Sequence, residues 1–199
     1  MKIIIVGGSG TIGQAVMDRL AKKHTLISAS REHGDVRFDI TDPASIKKMY
    51  QSVGDFDAVV STVGKVHFAD LSAMTPEDYD IGLHNKLMGQ VNLVLIGQHY
   101  INNHGSFTLT SGILSHDPIR GGTSASMVNG AIDSFVKSAA IELASGIRIN
   151  AISPTILTES MDKYGDYFPG FESVPAERVA LSYQKSVEGL QTGQIYQVG

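Results

Sequence analysis

Short apolar, β-branched runs alternate along the chain with longer stretches whose apolar residues recur every three or four positions. Seven runs read as strands: Ile3 to Val6, Leu26 to Ala29, Val36 to Ile40, Ala58 to Ser61, Ser106 to Leu109, Ile147 to Ile152 and Gln194 to Val198. Most are apolar on both faces, as strands covered on both sides of a parallel sheet must be. Helical patterns lie between them. Val128, Ile132, Phe135, Ala139 and Leu143 form one apolar stripe. Asp42-Pro43 and Thr75-Pro76-Glu77 each open a helix, with a capping side chain followed by proline at the first helical position. Further helices are expected over 80–100 and 123–144. Alternation of this kind implies right-handed crossovers and helices on both faces of one sheet. The expected class is α/β, a doubly wound three-layer fold around a parallel sheet of about seven strands. All 199 residues fit one domain.

Composition narrows the function classes. The net charge is -4 and no basic block occurs, which argues against a phosphate-neutralising nucleic-acid surface. Cysteine is absent, so disulfides, cysteine-based zinc sites and thiol nucleophiles are excluded. No metal site is expected. The apolar run Ile3 to Val6 is too short for a signal peptide, and no stretch approaches the roughly 20 apolar residues of a membrane helix. A cytoplasmic protein with no membrane partner is expected.

The most informative segment is the turn after the first strand, Gly7-Gly8-Ser9-Gly10-Thr11-Ile12-Gly13. Glycines here permit positive φ and close approach of the backbone to a pyrophosphate. A helix beginning near Thr11 would aim its free N–H groups and its positive dipole end at the phosphates. Gly7, Ser9, Gly10, Thr11, Ile12 and Gly13 are therefore assigned to a pyridine dinucleotide, and the fold is read as Rossmann-type. The end of the second strand selects between dinucleotides. An acidic residue there holds the ribose of NAD, whereas this chain has Ser28-Ala29-Ser30-Arg31. A guanidinium pairs with a 2′-phosphate in fork geometry. Ser30 and Arg31 thus favour NADP over NAD.

These motifs and others resemble the short-chain dehydrogenase/reductase family over nearly the whole chain. Gly7, Thr11 and Gly13 stand at the family's three glycine positions. Asp39-Ile40 resembles the segment that meets the adenine. Ser61-Thr62-Val63-Gly64 resembles the turn after the fourth strand, where Val63 and Gly64 let the ribose approach. Thr110-Ser111-Gly112 resembles the segment of the catalytic serine. Asn85, in His84-Asn85-Lys86-Leu87-Met88-Gly89, resembles the helix asparagine of the catalytic set. Arg148 to Pro154 and the following Thr155-Ile156-Leu157-Thr158 resemble the strand and turn that clamp the nicotinamide, which implies contacts from Pro154, Ile156 and Thr158. Thr192 to Tyr196 resembles the last strand. The resemblance also implies a homodimer or homotetramer. Val91, Val94 and Leu95 with Ile132, Val136 and Ala140 are the expected interface.

The resemblance breaks at the family's Tyr-x-x-x-Lys pair. Gly122-Thr123-Ser124-Ala125-Ser126-Met127 aligns with it, so Thr123 replaces the tyrosine and Met127 the lysine. A threonine hydroxyl is a poor acid, and methionine carries no charge or donor. The expected catalytic set is Ser111, Asn85 and Thr123. His67, His116, Tyr164 and Tyr167 are further candidates for a proton donor. Two functions are consistent with this. One is NADP-dependent oxidoreduction of a small carbonyl or alcohol with a non-standard proton donor. The other is a catalytically silent NADP(H)-binding sensor or regulator.

Overall fold

The structure is a computed structural model that describes all residues, 1–199. Its frame is a seven-stranded, all-parallel sheet of strand order 3-2-1-4-5-6-7. The chain runs β1 (Lys2–Val6), α1 (Thr11–Leu20), β2 (Thr25–Ser30), β3 (Val36–Arg37), α2 (Pro43–Val53), β4 (Phe56–Ser61), α3 (Pro76–Gly82), α4 (Gly89–Gly97), β5 (Ile101–Thr110), α5 (Thr123–Glu142), β6 (Arg148–Pro154), α6 (Met161–Tyr164), α7 (Ala176–Glu188) and β7 (Ile195–Val198). The order reverses between β1 and β4, so a crevice opens at the carboxyl ends of those strands.

Strands β1, β4 and β6 and the part of β5 from Gly105 onward are almost wholly buried, as their apolar runs require. Alternate side chains go to opposite layers. Ile4, Val6, Val59, Phe107 and Leu109 pack with α2, α4 and α5, while Ile3, Ile5, Ala58 and Val60 pack with α1 and α7. The caps form where the sequence placed them. The Asp42 side chain accepts from the Ala44 N–H, and Thr75 with Asp78 closes a reciprocal capping box.

Three features differ from expectation. The third strand is only Val36–Arg37, because Asp39 Oδ1 accepts both the N–H and the hydroxyl of Thr41 and turns the chain away. The fifth strand begins at Ile101, five residues early, and a register shift between Phe56 and Ala58 absorbs the difference. The helix expected over 80–100 is α3 and α4 joined by a π-helical turn, Leu83–Met88. The expected helix-on-helix interface is corrected as well. Val91, Val94, Ile132 and Val136 are buried in the chain's own core, and only Leu95 of the six is well exposed. Their stripe is what seats α4 and α5 on the sheet.

Candidate functional site

The glycine turn is shaped by contacts that leave no room for side chains. Gly7 has φ +84°, and a Cβ there would stand 2.3 Å from Val63 Cγ1. A Cβ on Gly13 would meet the Gly7 carbonyl oxygen at 2.1 Å, so α1 can cross β1 this closely only with glycine at that position. Thr62 ties the crevice together from the other side, its hydroxyl donating to the carbonyls of Val6 and Gly7 at 3.0 and 3.1 Å. Gly10 caps α1 with no side chain bonded to the helix start, and the first turn carries no acidic residue. These free N–H groups form an anion site. A Cβ on Gly10 would come no nearer than 3.5 Å to its neighbours, so the rim stays open for a diphosphate.

Two clefts flank this turn. The first, about 530 Å³, is lined by Ser9, Ser30, Arg31, Asp39, Ile40, Val63 and Gly64 of the expected set, together with Phe38, Glu32, His33, Lys65 and Asn85. Arg31 stands free in solvent apart from a long 3.5 Å approach to Glu32. The Ser30 hydroxyl is engaged with His33, whose N–H donates to it at 2.9 Å. Hydrogen bonds from Thr41 hold the Asp39 carboxyl below the usual carboxylate range. The second cleft, about 260 Å³, is lined by Ile12, Val63, Gly64, Pro154, Ile156, Ser111, Lys86 and Asn129, among others. Val63 and Gly64 belong to both, so the clefts are halves of one groove.

The second cleft holds unpaired polar groups. The hydroxyls of Ser111 and Thr155 and the Oδ1 of Asn129 are buried and lack a partner within the chain. Such atoms await a ligand or water. Ser111 is set by its neighbour. The wholly buried Gln90 of α4 receives the Thr110 N–H at 2.8 Å and donates to the Thr110 carbonyl at 2.9 Å, clamping the end of β5. Lys86, on the π-helical turn, donates from Nζ to the Ser111 carbonyl at 2.9 Å. Its residue keeps some surface at the cleft, but protein encloses the side chain elsewhere. That burial pushes its ammonium down to about 8, with Asp133 partly opposing the shift.

The other expected catalytic residues lie elsewhere. Thr123 does not line the cleft. Its hydroxyl pairs with the Tyr79 phenol at 2.8 Å, and Met127 is 43% exposed. Ala125 and Asn129 face the cleft instead, since residues two apart on a helix point to nearly opposite sides. The assignment of Thr123 is therefore corrected. Asn85 lines the Arg31 cleft, with Oδ1 accepting the Lys65 N–H at 2.8 Å. Thr158 bonds Ser173 on a 3₁₀ turn outside both clefts, and Thr11 faces a groove toward α7. His67 approaches Asp78 at 3.8 Å, and His116 approaches Ser115. Neither lines the Ser111 cleft. Tyr164 and Tyr167 border an adjacent apolar cavity with Phe68, Ile156, Leu157 and Phe168. Sequence reading passed over Lys86 and Asn129. Neither carried a local signal, because the residues they meet in the cleft are distant in sequence.

Known proteins match this arrangement. The sequence model of a family described as enoyl-(acyl carrier protein) reductase fits residues 10–190. The chain is 28% identical over 182 residues to the short-chain dehydrogenase/reductase ATR9 of Stachybotrys chlorohalonatus, covering 76% of this chain and 72% of that protein. It is 27% identical to versicolorin reductase 1 of Aspergillus parasiticus, over 89% of this chain and 79% of that one. The solved Listeria innocua protein lin1944 superposes with a TM-score of 0.98 at 53% identity, over the whole of both chains. A small-chain dehydrogenase solved in complex with NADPH superposes at 0.88 with 25% identity, over all of this chain and 96% of the other. No helix is long and apolar enough to cross a membrane. With the strand order, the glycine turn and the Ser111 cleft in place, the match over residues 10–190 makes the chain a member of the short-chain dehydrogenase/reductase family.

Proposed function

We propose that this protein is an NADP-dependent oxidoreductase that interconverts a small carbonyl compound and its alcohol, with a proton donor other than the family's tyrosine. The observation that carries the reading is the unpartnered Ser111 hydroxyl, in a cleft that continues through Val63-Gly64 to the free guanidinium of Arg31. The phosphate turn, the adenosine side and the reacting side of one extended ligand are thereby accounted for. When bound, the nicotinamide supplies the two electrons of the reduction. Uncapped N–H groups of α1 hold the diphosphate, and Arg31 pairs with a 2′-phosphate. The NADPH complex of the 25%-identical dehydrogenase supports the same cofactor class here.

Ser111 donates its hydroxyl to the substrate oxygen. Asn129 Oδ1 and Thr155 remain free to accept or donate at the cleft floor. Phe68, Ile156 and Phe168 wall both the Ser111 cleft and the aromatic cavity bearing Tyr164 and Tyr167. A substrate with an apolar or aromatic substituent next to its carbonyl suits that pair of spaces. Exposed Met88, Leu95 and Met127 on neighbouring helical surfaces support a homo-oligomer of this cytoplasmic, single-domain enzyme.

A second reading has its own support. No tyrosine, histidine or carboxylate lines the Ser111 cleft, so a silent NADP(H) sensor also fits the lining. The test is to titrate NADPH and NADH by fluorescence, then follow NADPH oxidation against aldehydes, ketones and quinones bearing aromatic groups. Tight NADPH binding with turnover supports the oxidoreductase. Binding without turnover on any class supports the sensor.

A further inference from the structure

A carbonyl that accepts hydride must also accept a proton, and the Ser111 cleft has a single ionisable side chain in its lining, Lys86. The fold goes to some length to bring that amine there. The π-helical turn Leu83–Met88 widens the helix at this residue, a distortion that clusters at functional sites. Gly64 then lets the stem through: a Cβ on Gly64 would lie 2.5, 2.7 and 3.1 Å from Lys86 Cγ, Cδ and Cε. At the end of the stem, Nζ gives one of its three N–H bonds to the Ser111 carbonyl at 2.9 Å. The other two find no partner in the chain.

A structural role would call for a carboxylate against the amine, since enclosing an unpaired ammonium is costly. No ion pair to Lys86 forms within 4 Å. Asp133 of α5 acts on it from farther off. Of the charged groups that follow Gly64 in the chain, Lys65 lines the Arg31 cleft and His67 approaches Asp78 at 3.8 Å. The remaining neighbours, Gly64, Ser111 and Asn129, are neutral. An enclosed cation whose one bond goes to a carbonyl and which has no carboxylate within 4 Å, beside an unsatisfied serine hydroxyl, fits a reacting centre.

We propose that Lys86 is the general acid of this enzyme, delivering its ammonium proton to the carbonyl oxygen that the Ser111 hydroxyl holds. This rests on the oxidoreductase reading above. In the step, hydride from the reduced nicotinamide forms a C–H bond at the carbonyl carbon. The C=O π electrons move to oxygen, the Lys86 N–H bond breaks and an O–H bond forms. The products are the alcohol, the oxidised cofactor and a neutral amine, which regains its proton from water at the cleft mouth. The cation therefore comes from the helix before β5, whereas the aligned position on α5 holds Met127. An amine near 8 is still mostly protonated at neutral pH and gives up its proton readily, as an acid near the operating pH should.

The test compares wild type with Lys86→Met and Lys86→Arg. Met keeps the stem's volume and removes the charge. Arg keeps the charge but cannot release a proton near neutrality. Both variants should bind NADPH within about threefold of wild type, and both should reduce carbonyls ~10²- to 10⁴-fold more slowly. The wild-type reduction rate should fall as pH rises through about 8. That limb should vanish in Lys86→Met. Without cofactor, NMR of ¹³Cε-labelled lysines should show one resonance titrating near 8 that Lys86→Met removes. Several results would overturn the proposal: full rate in Lys86→Arg, a Lys86 resonance titrating above 10, or a loss in Lys86→Met explained wholly by weaker NADPH binding. Rate retained in Lys86→Met with an active wild type defeats the acid alone. A wild type that binds NADPH but turns over nothing defeats the oxidoreductase reading first.

Discussion

The two halves of the groove are built by different means. The half beside Gly7 to Gly13 rests on backbone at its phosphate turn, with uncapped N–H groups, positive φ and carbonyls that leave no space for a Cβ, and adds the Arg31 side chain at its far end. The half around Ser111 is made of side chains that converge from the π-helical turn, β5 and α5. Backbone recognition tolerates any ligand with the right diphosphate, and it is shared across a superfold. Side-chain chemistry decides what is done to the ligand. The halves should therefore fail in different ways, binding in one and rate in the other.

The sharpest test of that division is Ser111→Ala. It should lower the carbonyl reduction rate by about 10²- to 10³-fold, the usual effect of losing one donor to a developing oxyanion. NADPH affinity, read by fluorescence titration, should stay within a few-fold. If both fall together, the halves are not separable. Arg31→Ala should do the reverse. NADPH should bind about 10- to 100-fold more weakly, as expected for a lost charge-assisted pair, with NADH binding and saturated rate unchanged. Equal losses for both nucleotides would place Arg31 outside the 2′-phosphate site.

Smaller effects follow from packing. Gly13→Ala should cost about 1–3 kcal/mol in urea unfolding, because its Cβ meets backbone that cannot swing away, and NADPH affinity should drop with it. A stability like wild type would mean that α1 can shift. The enclosure of Lys86 has a signature in stability of its own. Its amine is lowered from 10.5 to about 8 in the folded chain, so between those values the unfolded chain binds more protons. Wild type should gain stability relative to Lys86→Met as pH rises from about 8 toward 10.5, and the penalty should be fully present below 8. A difference that stays flat over that window would show the amine to be solvated. Least affected should be Thr123→Val. Its hydroxyl serves Tyr79, so it should cost about 1 kcal/mol and leave the reduction rate unchanged. A large rate loss would restore Thr123 to the reacting half.

The comparison also explains which parts of the molecule could be read before its shape was known. The glycine turn, the paired apolar strands and the Asp42 and Thr75 caps are local. Each depends on residues within a few positions of one another, so spacing and residue type suffice. The strand boundaries of β3 and β5 depend on neighbours far along the chain, and those were displaced. The reacting half was the least legible. Ser111 and Thr123 were both assigned by resemblance, and only the folded chain shows that the Thr123 hydroxyl turns to Tyr79. A shift of one or two positions on a helix turns a side chain to another face. Lys86 gave no signal of its function because Gly64 and Ser111, which enclose it, lie 22 and 25 residues away.

The sequence alone determined a parallel α/β sheet with a phosphate-binding turn at its first crossover, since hydrophobic period and glycine stereochemistry act over short stretches of chain. Which side chains meet at the carboxyl ends of the strands was decided only by tertiary structure. Helix register, the π-helical turn and the passage beside Gly64 set the direction of Lys86 and Asn129, and those depend on packing among elements distant in sequence.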